Sequence, residues 1–404
     1  MPEQNLAAVP LPYVPDDLVV GLPSVDLVTA ELDTLGIGTS RVRTSKGLGL
    51  ALLKVSADSA VLAAMRGHAL AVAGARPAPR EDAPLLDQLL WALRRVFTAR
   101  YAGWTPLLGK NRLVGRVHGA GEVSYGGGSD PVPLGAPATL HERGAGPGSG
   151  VRVGVLDTGL YAQPWLAGGW AARYGDLLRG SGTPLYPEGH ATFITGLVLS
   201  QAPGATVEVR RVLGADGTVD SWTVAEQIVA FGNSGLDVLN LSFVCYTEDG
   251  EAPLVLATAV DRLGPELVVV AAAGNHGAVD VGDDEENARE RLRPAWPAAL
   301  DAVVAVGATD GAGKRSLFSP DAPWVDVLAP GEALKSTYLA SASKGAGDES
   351  VVFDGWASWQ GTSFAAALLS GTIAASTQPG RTTSREALRD ILDARPTYLE
   401  LDTW

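Results

Sequence analysis

Residues 151–159 read VRVGVLDTG. The run of Val and Leu, interrupted only by Arg152 and Gly154, reads as a strand apolar on both faces that delivers a carboxylate, Asp157, at its end. Similar runs follow: TVEVRRVL (206–213), LDVLNLSF (236–243), LVVVAAAG (267–274) and AVVAVGAT (302–309). Helical segments near 190–200, 221–233 and 253–263 separate them. Continuous apolar strands spaced by helices predict a parallel sheet covered by helices on both faces, an α/β fold. Sites on such sheets form beyond the carboxyl ends of the strands. That rule singles out Asp157, Ser242 and Asn275.

A second stretch, WASWQGTSFAAALLSG (356–371), runs from Gly, Thr and Ser straight into Ala and Leu. Ser363 is read in two ways: as a cap on a buried helix, or as a nucleophile at a helix start. There the unpaired N–H groups and the positive dipole end favour developing negative charge. A serine hydroxyl attacks only when a base takes its proton and a third group orients that base. Of the five histidines, His68, His118 and His141 precede the sheet and His276 follows Asn275. His190 opens the small-residue helix HATFITGLVLS, between Asp157 and Ser363 in sequence. Asn275, closing AAAGN, offers a side-chain amide to an oxyanion, with the Ser363 N–H as a second donor.

Taken in order, VGVLDTG, GHATFITG, AAAGN and GTSFAA resemble the Asp, His, Asn and Ser motifs of the subtilisin-like serine peptidases. RRVLGADGTVDSW, LDVLNLSF and residues 301–331 resemble further stretches of that family, so the likeness covers roughly 150–393. The resemblance implies a subtilisin-like parallel sheet and a serine endopeptidase acting on protein or peptide through an acyl-enzyme. It assigns Asp157 as orienting carboxylate, His190 as general base and then acid, Ser363 as nucleophile and Asn275 as oxyanion donor. Ser242, Phe243 and Val244 would carry the substrate strand, and His276 would line the pocket for a substrate side chain. The chain departs from the pattern at Ala191, Phe193 and Ala367. SFVCY (242–246) stands where glycines are usual, and Val244 and Cys245 are expected to reshape the cleft. A permanently repressed member acting as a binding module is the alternative.

The preceding sequence divides at 80 and 149. Residues 1–80 read as a small α+β module with strands at LVVGL, GLGLALLKV and ALAVAGA and helices at VDLVTAELDTLG and ADSAVLAAMRG. This has the look of the propeptide that subtilisin-like enzymes carry as intramolecular inhibitor and chaperone. Residues 81–149 begin with a helix placing Leu86, Leu89, Leu90, Leu93, Val96, Phe97 and Tyr101 on one face. The rest reads as linker, rich in Gly and Pro. The catalytic region is 150–404.

Composition bounds the rest. Over 404 residues, 46% hydrophobic and 19% charged, the chain is globular. A net charge of −14 argues against nucleic acid or an anionic membrane as partner. No run approaches the length of a membrane span. The opening MPEQNLAAVPLPYVPDD has no apolar signal region, and Cys245 is the single cysteine. A cytoplasmic protein is expected, with secretion as the alternative. The acidic run DVGDDEENARERLRP (280–294) has calcium-type ligands without a recognisable spacing. No cofactor is expected, and structural calcium stays open.

Overall fold

The computed structural model describes residues 12–72, 76–116, 130–135, 146–179, 182–277, 290–345 and 350–394. The chain forms two compact units. One comprises residues up to Leu113 together with Asp220–Glu226 and Pro253–Arg262, and the other takes the remainder.

The larger unit is built on a seven-stranded parallel sheet. Its order is Val327–Pro330, Val304–Thr309, Val268–Ala272, Val238–Leu241, Arg152–Asp157, Thr206–Arg211 and Trp170–Ala172. Neighbours run parallel, for example Leu241 beside Leu156 and Ala271. The strand ending in Asp157 lies mid-sheet; its flanking strands, Thr206–Arg211 and Val238–Leu241, pair on its opposite edges. This is the switch-point arrangement that opens a crevice at the strand ends.

The apolar readings hold in the packing. Val153, Val155, Val238, Val268, Val270 and Val306 are all buried in one core with Phe193, Leu197, Phe364 and Leu368. The helix Thr362–Ser376 is buried along most of its length, which its Ala, Gly and Ser residues permit. A Cβ on Gly371 would stand 2.7 Å from the carbonyl oxygen of Val198. Only glycine lets this helix approach His190–Gln201 so closely.

The smaller unit has an antiparallel sheet ordered Leu108–Arg116, Tyr13–Gly21, Leu50–Ser56 and Gly38–Ser45. Helices Val25–Thr34, Ser59–Leu70 and Leu85–Arg100 contribute to its core. Three readings differ from the structure. Ala69 and Leu70 of the expected strand ALAVAGA finish a helix, and the Arg95 guanidinium donates to the carbonyls of Ala69 and Val72. Tyr101 lies past the end of its helix and is 38% exposed, stacking on Phe97 at 5.8 Å. Leu108–Arg116, read as linker, is a strand whose Lys110 and Asn111 are buried against acidic partners.

Candidate active site

Asp157 ends its strand fully buried. Its Oδ1 accepts from the Thr158 N–H at 2.7 Å, and both carboxylate oxygens lie 2.9 Å from Nδ1 of His190. A carboxylate only accepts, so Nδ1 carries a proton, and the tautomer that could serve as a base has its lone pair at Nε2. Thr158 fixes the helix start that carries the ring: its hydroxyl accepts from the Ala191 N–H at 3.1 Å and donates to the Glu188 carbonyl at 3.2 Å.

Aromatic rings enclose the imidazole. Trp359 stands edge-on at 5.6 Å and Phe364 is tilted at 5.3 Å. Phe193 packs on both of them, at 5.7 and 4.5 Å. The position flagged in the sequence as a departure thus fills the apolar shell behind His190.

Ser363 is the second residue of the helix Thr362–Ser376, which follows Gly361 at φ 153° and ψ 159°, a conformation essentially confined to glycine. Behind Ser363 runs a chain of buried neutral hydrogen bonds. Ser370 Oγ donates to Asn240 Oδ1 at 3.0 Å, and Asn240 Nδ2 donates to Ser242 Oγ at 2.9 Å. Ser242 Oγ in turn donates to the Ser363 carbonyl at 3.1 Å. Ser242 therefore supports the helix start with its side chain.

Asn275 is held by the neighbour of Ser363. Its Oδ1 accepts from the Thr362 N–H at 3.0 Å and the Thr362 hydroxyl at 3.1 Å. The Thr362 hydroxyl also accepts from the Gly274 N–H at 3.0 Å. With Oδ1 occupied, the amide keeps its Nδ2 donors for another group. Nδ2 would lie 3.3 Å from a Cβ on Gly361.

Phe243–Val244 is a short strand pairing antiparallel with Gly115–Arg116, Phe243 opposite Arg116 and Val244 opposite Gly115. Val244 is buried in the core, so this departure from glycine leaves a backbone edge able to pair. Cys245 is buried and exchanges backbone bonds with Trp296 at 2.8 and 3.0 Å. His276 is buried beside Asn275, and burial holds its pKa down to about 4.

The structure thus joins Asp157 to His190 directly, and ties Ser242 and Asn275 to the segment bearing Ser363. Thr158, Asn240 and Thr362 were not singled out in the sequence, nor was a hydrogen-bonding role for Ser370. Only Thr362 and Thr158 carried a local signal, each being adjacent to a motif residue. The acidic run read as a calcium candidate lies mostly outside the described residues. Among the described residues no group of three or more His, Cys, Asp or Glu is placed to hold a metal ion. Among them too, no helix is long and apolar enough to cross a membrane.

The subtilase family model matches residues 148–395. Subtilisin BL of Lederbergia lenta is 32% identical over 273 residues, 65% of this chain and 89% of that protein. Subtilisin E of Bacillus subtilis (strain 168) is 31% identical over 278 residues, 65% of this chain and 64% of that one. Among solved structures, fervidolysin from Fervidobacterium pennivorans, a keratinolytic enzyme related to subtilisin, superposes with a TM-score of 0.58 at 15% identity. That match covers 96% of this chain and 58% of fervidolysin. A lanthipeptide protease gives a TM-score of 0.50 at 24% identity over 63% of this chain and 81% of that one. These two likenesses concern the fold.

Proposed function

The chain belongs to the subtilase family and is a serine endopeptidase, and from that premise we propose that Asp157, His190 and Ser363 are its catalytic triad, with Asn275 as oxyanion donor. The observation that carries this reading is the pair of 2.9 Å contacts between the buried Asp157 carboxylate and Nδ1 of His190. Nε2 takes the proton from Ser363 Oγ as that oxygen attacks the scissile carbonyl. Negative charge grows on the carbonyl oxygen and is met by Asn275 Nδ2 and the N-terminal N–H groups of the Ser363 helix. The imidazolium, steadied by Asp157, then gives its proton to the departing amine. An ester on Ser363 remains. Water repeats the cycle and frees the acid.

The substrate adds as a strand along Phe243–Val244, through main-chain hydrogen bonds. In this reading residues 1–80 are a propeptide-like inhibitor and chaperone, 81–149 a helix and linker, and 150–404 the peptidase. Gly115–Arg116 occupying the same edge supports control by the N-terminal region. It also favours a second reading, a member that stays repressed and serves as a binding module. A cytoplasmic location belongs to the same proposal and rests on the lone, buried Cys245.

The test is hydrolysis of a casein or peptide pool by the purified chain, with intact mass recorded before and after incubation. Turnover together with a shortened chain, both lost in Ser363→Ala, is expected. A full-length chain that cleaves nothing would support the repressed reading instead.

A further inference from the structure

A carbonyl held between Ser363 and Asn275 carries its own side chain alongside the two segments that leave the sheet there, 242–246 and 273–276; this step rests on the function proposed above. At the end of the first of these segments stands a residue the motifs do not include. The Tyr246 hydroxyl donates to His276 Nδ1 at 3.0 Å, and His276 Nε2 lies 2.9 Å from the Arg293 carbonyl. A carbonyl can only accept, so Nε2 carries a proton. Burial, which lowers the pKa to about 4, leaves Nδ1 unprotonated as the acceptor and the ring uncharged at neutral pH. Trp324 backs it, nearly parallel at 8° and 6.3 Å, with its indole N–H donating to the Leu292 carbonyl at 3.1 Å.

The pair stands directly against the backbone that leads to Asn275. Gly274 has φ 93°, and a Cβ there would lie 2.8 Å from both the Tyr246 hydroxyl and His276 Nδ1. The phenol and imidazole therefore fill the space next to the oxyanion donor. Among the described residues the charges beside the pair, Arg293 and Glu290, are matched with each other. Arg293 is engaged by Glu290 at 2.9 Å, its guanidinium carbon 5.8 Å from the Tyr246 ring centroid. Burial keeps the phenol protonated and the imidazole neutral.

We propose that Tyr246, locked to His276, is an uncharged end wall that restricts the substrate residue on the acyl side of the cut to small, uncharged side chains. A charged side chain would be desolvated against this wall without a partner. A large one would have to push the phenol off His276, leaving a buried acceptor unpaired. Tyr246 is thus a specificity-determining residue.

The experiment uses peptides identical except at the residue before the scissile bond: Ala, Val, Leu, Phe, Lys or Glu. Wild type, Tyr246→Ala and Tyr246→Phe are compared by kcat/KM, and each protein is titrated with a fluorophosphonate. Wild type should favour Ala and Val over Phe, Lys and Glu by about tenfold or more. Tyr246→Ala should raise Leu and Phe relative to Ala by about tenfold while Lys and Glu stay poor. Tyr246→Phe keeps the ring and should keep the preference for small residues. The wild-type and Tyr246→Phe series decide the matter even where Tyr246→Ala does not fold. A labelled enzyme that prefers Phe, Lys or Glu, or a Tyr246→Ala protein with an unchanged profile, overturns the proposal alone. A protein that neither labels nor cleaves any peptide overturns it together with the function on which it rests.

Discussion

The ion pairs of the smaller unit and the polar links around Ser363 hold the chain by different chemistry. In the former, charge is paired with charge. Glu31 meets Arg100, Asp17 meets Lys54 at 3.2 Å, and Asp87 meets Lys110 at 2.5 Å. In the first two pairs the cation remains 44% and 49% exposed. Around Ser363 the links are neutral and buried, running from Ser370 through Asn240 and Ser242 to the helix start, and from Thr362 to Asn275. Half-exposed ion pairs are weak and screened by salt. Buried neutral networks are costly to break and fix geometry.

The largest effect that sharpens this contrast is at the nucleophile. Ser363→Ala should abolish turnover without unfolding the protein, since a Cβ remains in the same helix; thermal unfolding and peptide hydrolysis on one sample check both halves. Asn275→Ala comes next. It should lower kcat far more than it raises KM, because the donor meets charge that exists only in the transition state. The size is known from subtilisin itself, where losing the corresponding side chain costs on the order of 10²–10³ in turnover.

His276 supplies a pH dependence of stability. Its folded pKa is about 4 against the 6.5 usual for a histidine. Above 6.5 both states are neutral there and stability is full. As pH falls from 6.5 towards 4 the unfolded chain takes up the proton first, so stability drops by about 3 kcal/mol, and below 4 this contribution stays lost. Denaturant midpoints of Ser363→Ala between pH 8 and 4 should show that slope, and His276→Gln in the same background should flatten it.

Asn240→Ala removes the middle of the buried relay and strands two hydroxyl partners. We expect a loss of about 1–3 kcal/mol that is insensitive to salt. A loss that vanished in salt would place this network in the same class as the ion pairs of the smaller unit. The smallest effect is at Lys54→Ala, about 1 kcal/mol or less and fading as salt is raised from 0.05 to about 0.5 M.

What could be read from the sequence divides along a similar line. Asp157, His190, Asn275 and Ser363 stood out because each lies at or within a few residues of the end of an element whose apolar pattern is itself readable, and because their chemistry is scarce. The sheet was legible for the first of those reasons. Asn240 and Ser370 were not, since 130 residues separate them and neither has a local signature. Tyr246 was seen only as part of a stretch replacing glycines; its role depends on His276, which turns towards it after the strand at Val268–Ala272. The strand Leu108–Arg116 was missed because Lys110, Asn111 and Arg112 interrupt its apolar pattern. Their burial depends on groups remote in sequence, such as Asp17, Asp87 and Ser221.

The central claim is that Ser363 is activated by His190 and Asp157, and peptide mapping after fluorophosphonate treatment tests it most directly. One phosphonyl adduct per chain is expected, on the peptide containing GTSFAA, absent in Ser363→Ala and strongly slowed in Asp157→Asn. An adduct on another serine, or none in a folded protein whose Phe243–Val244 edge has been freed by removal of residues 1–116, would contradict it.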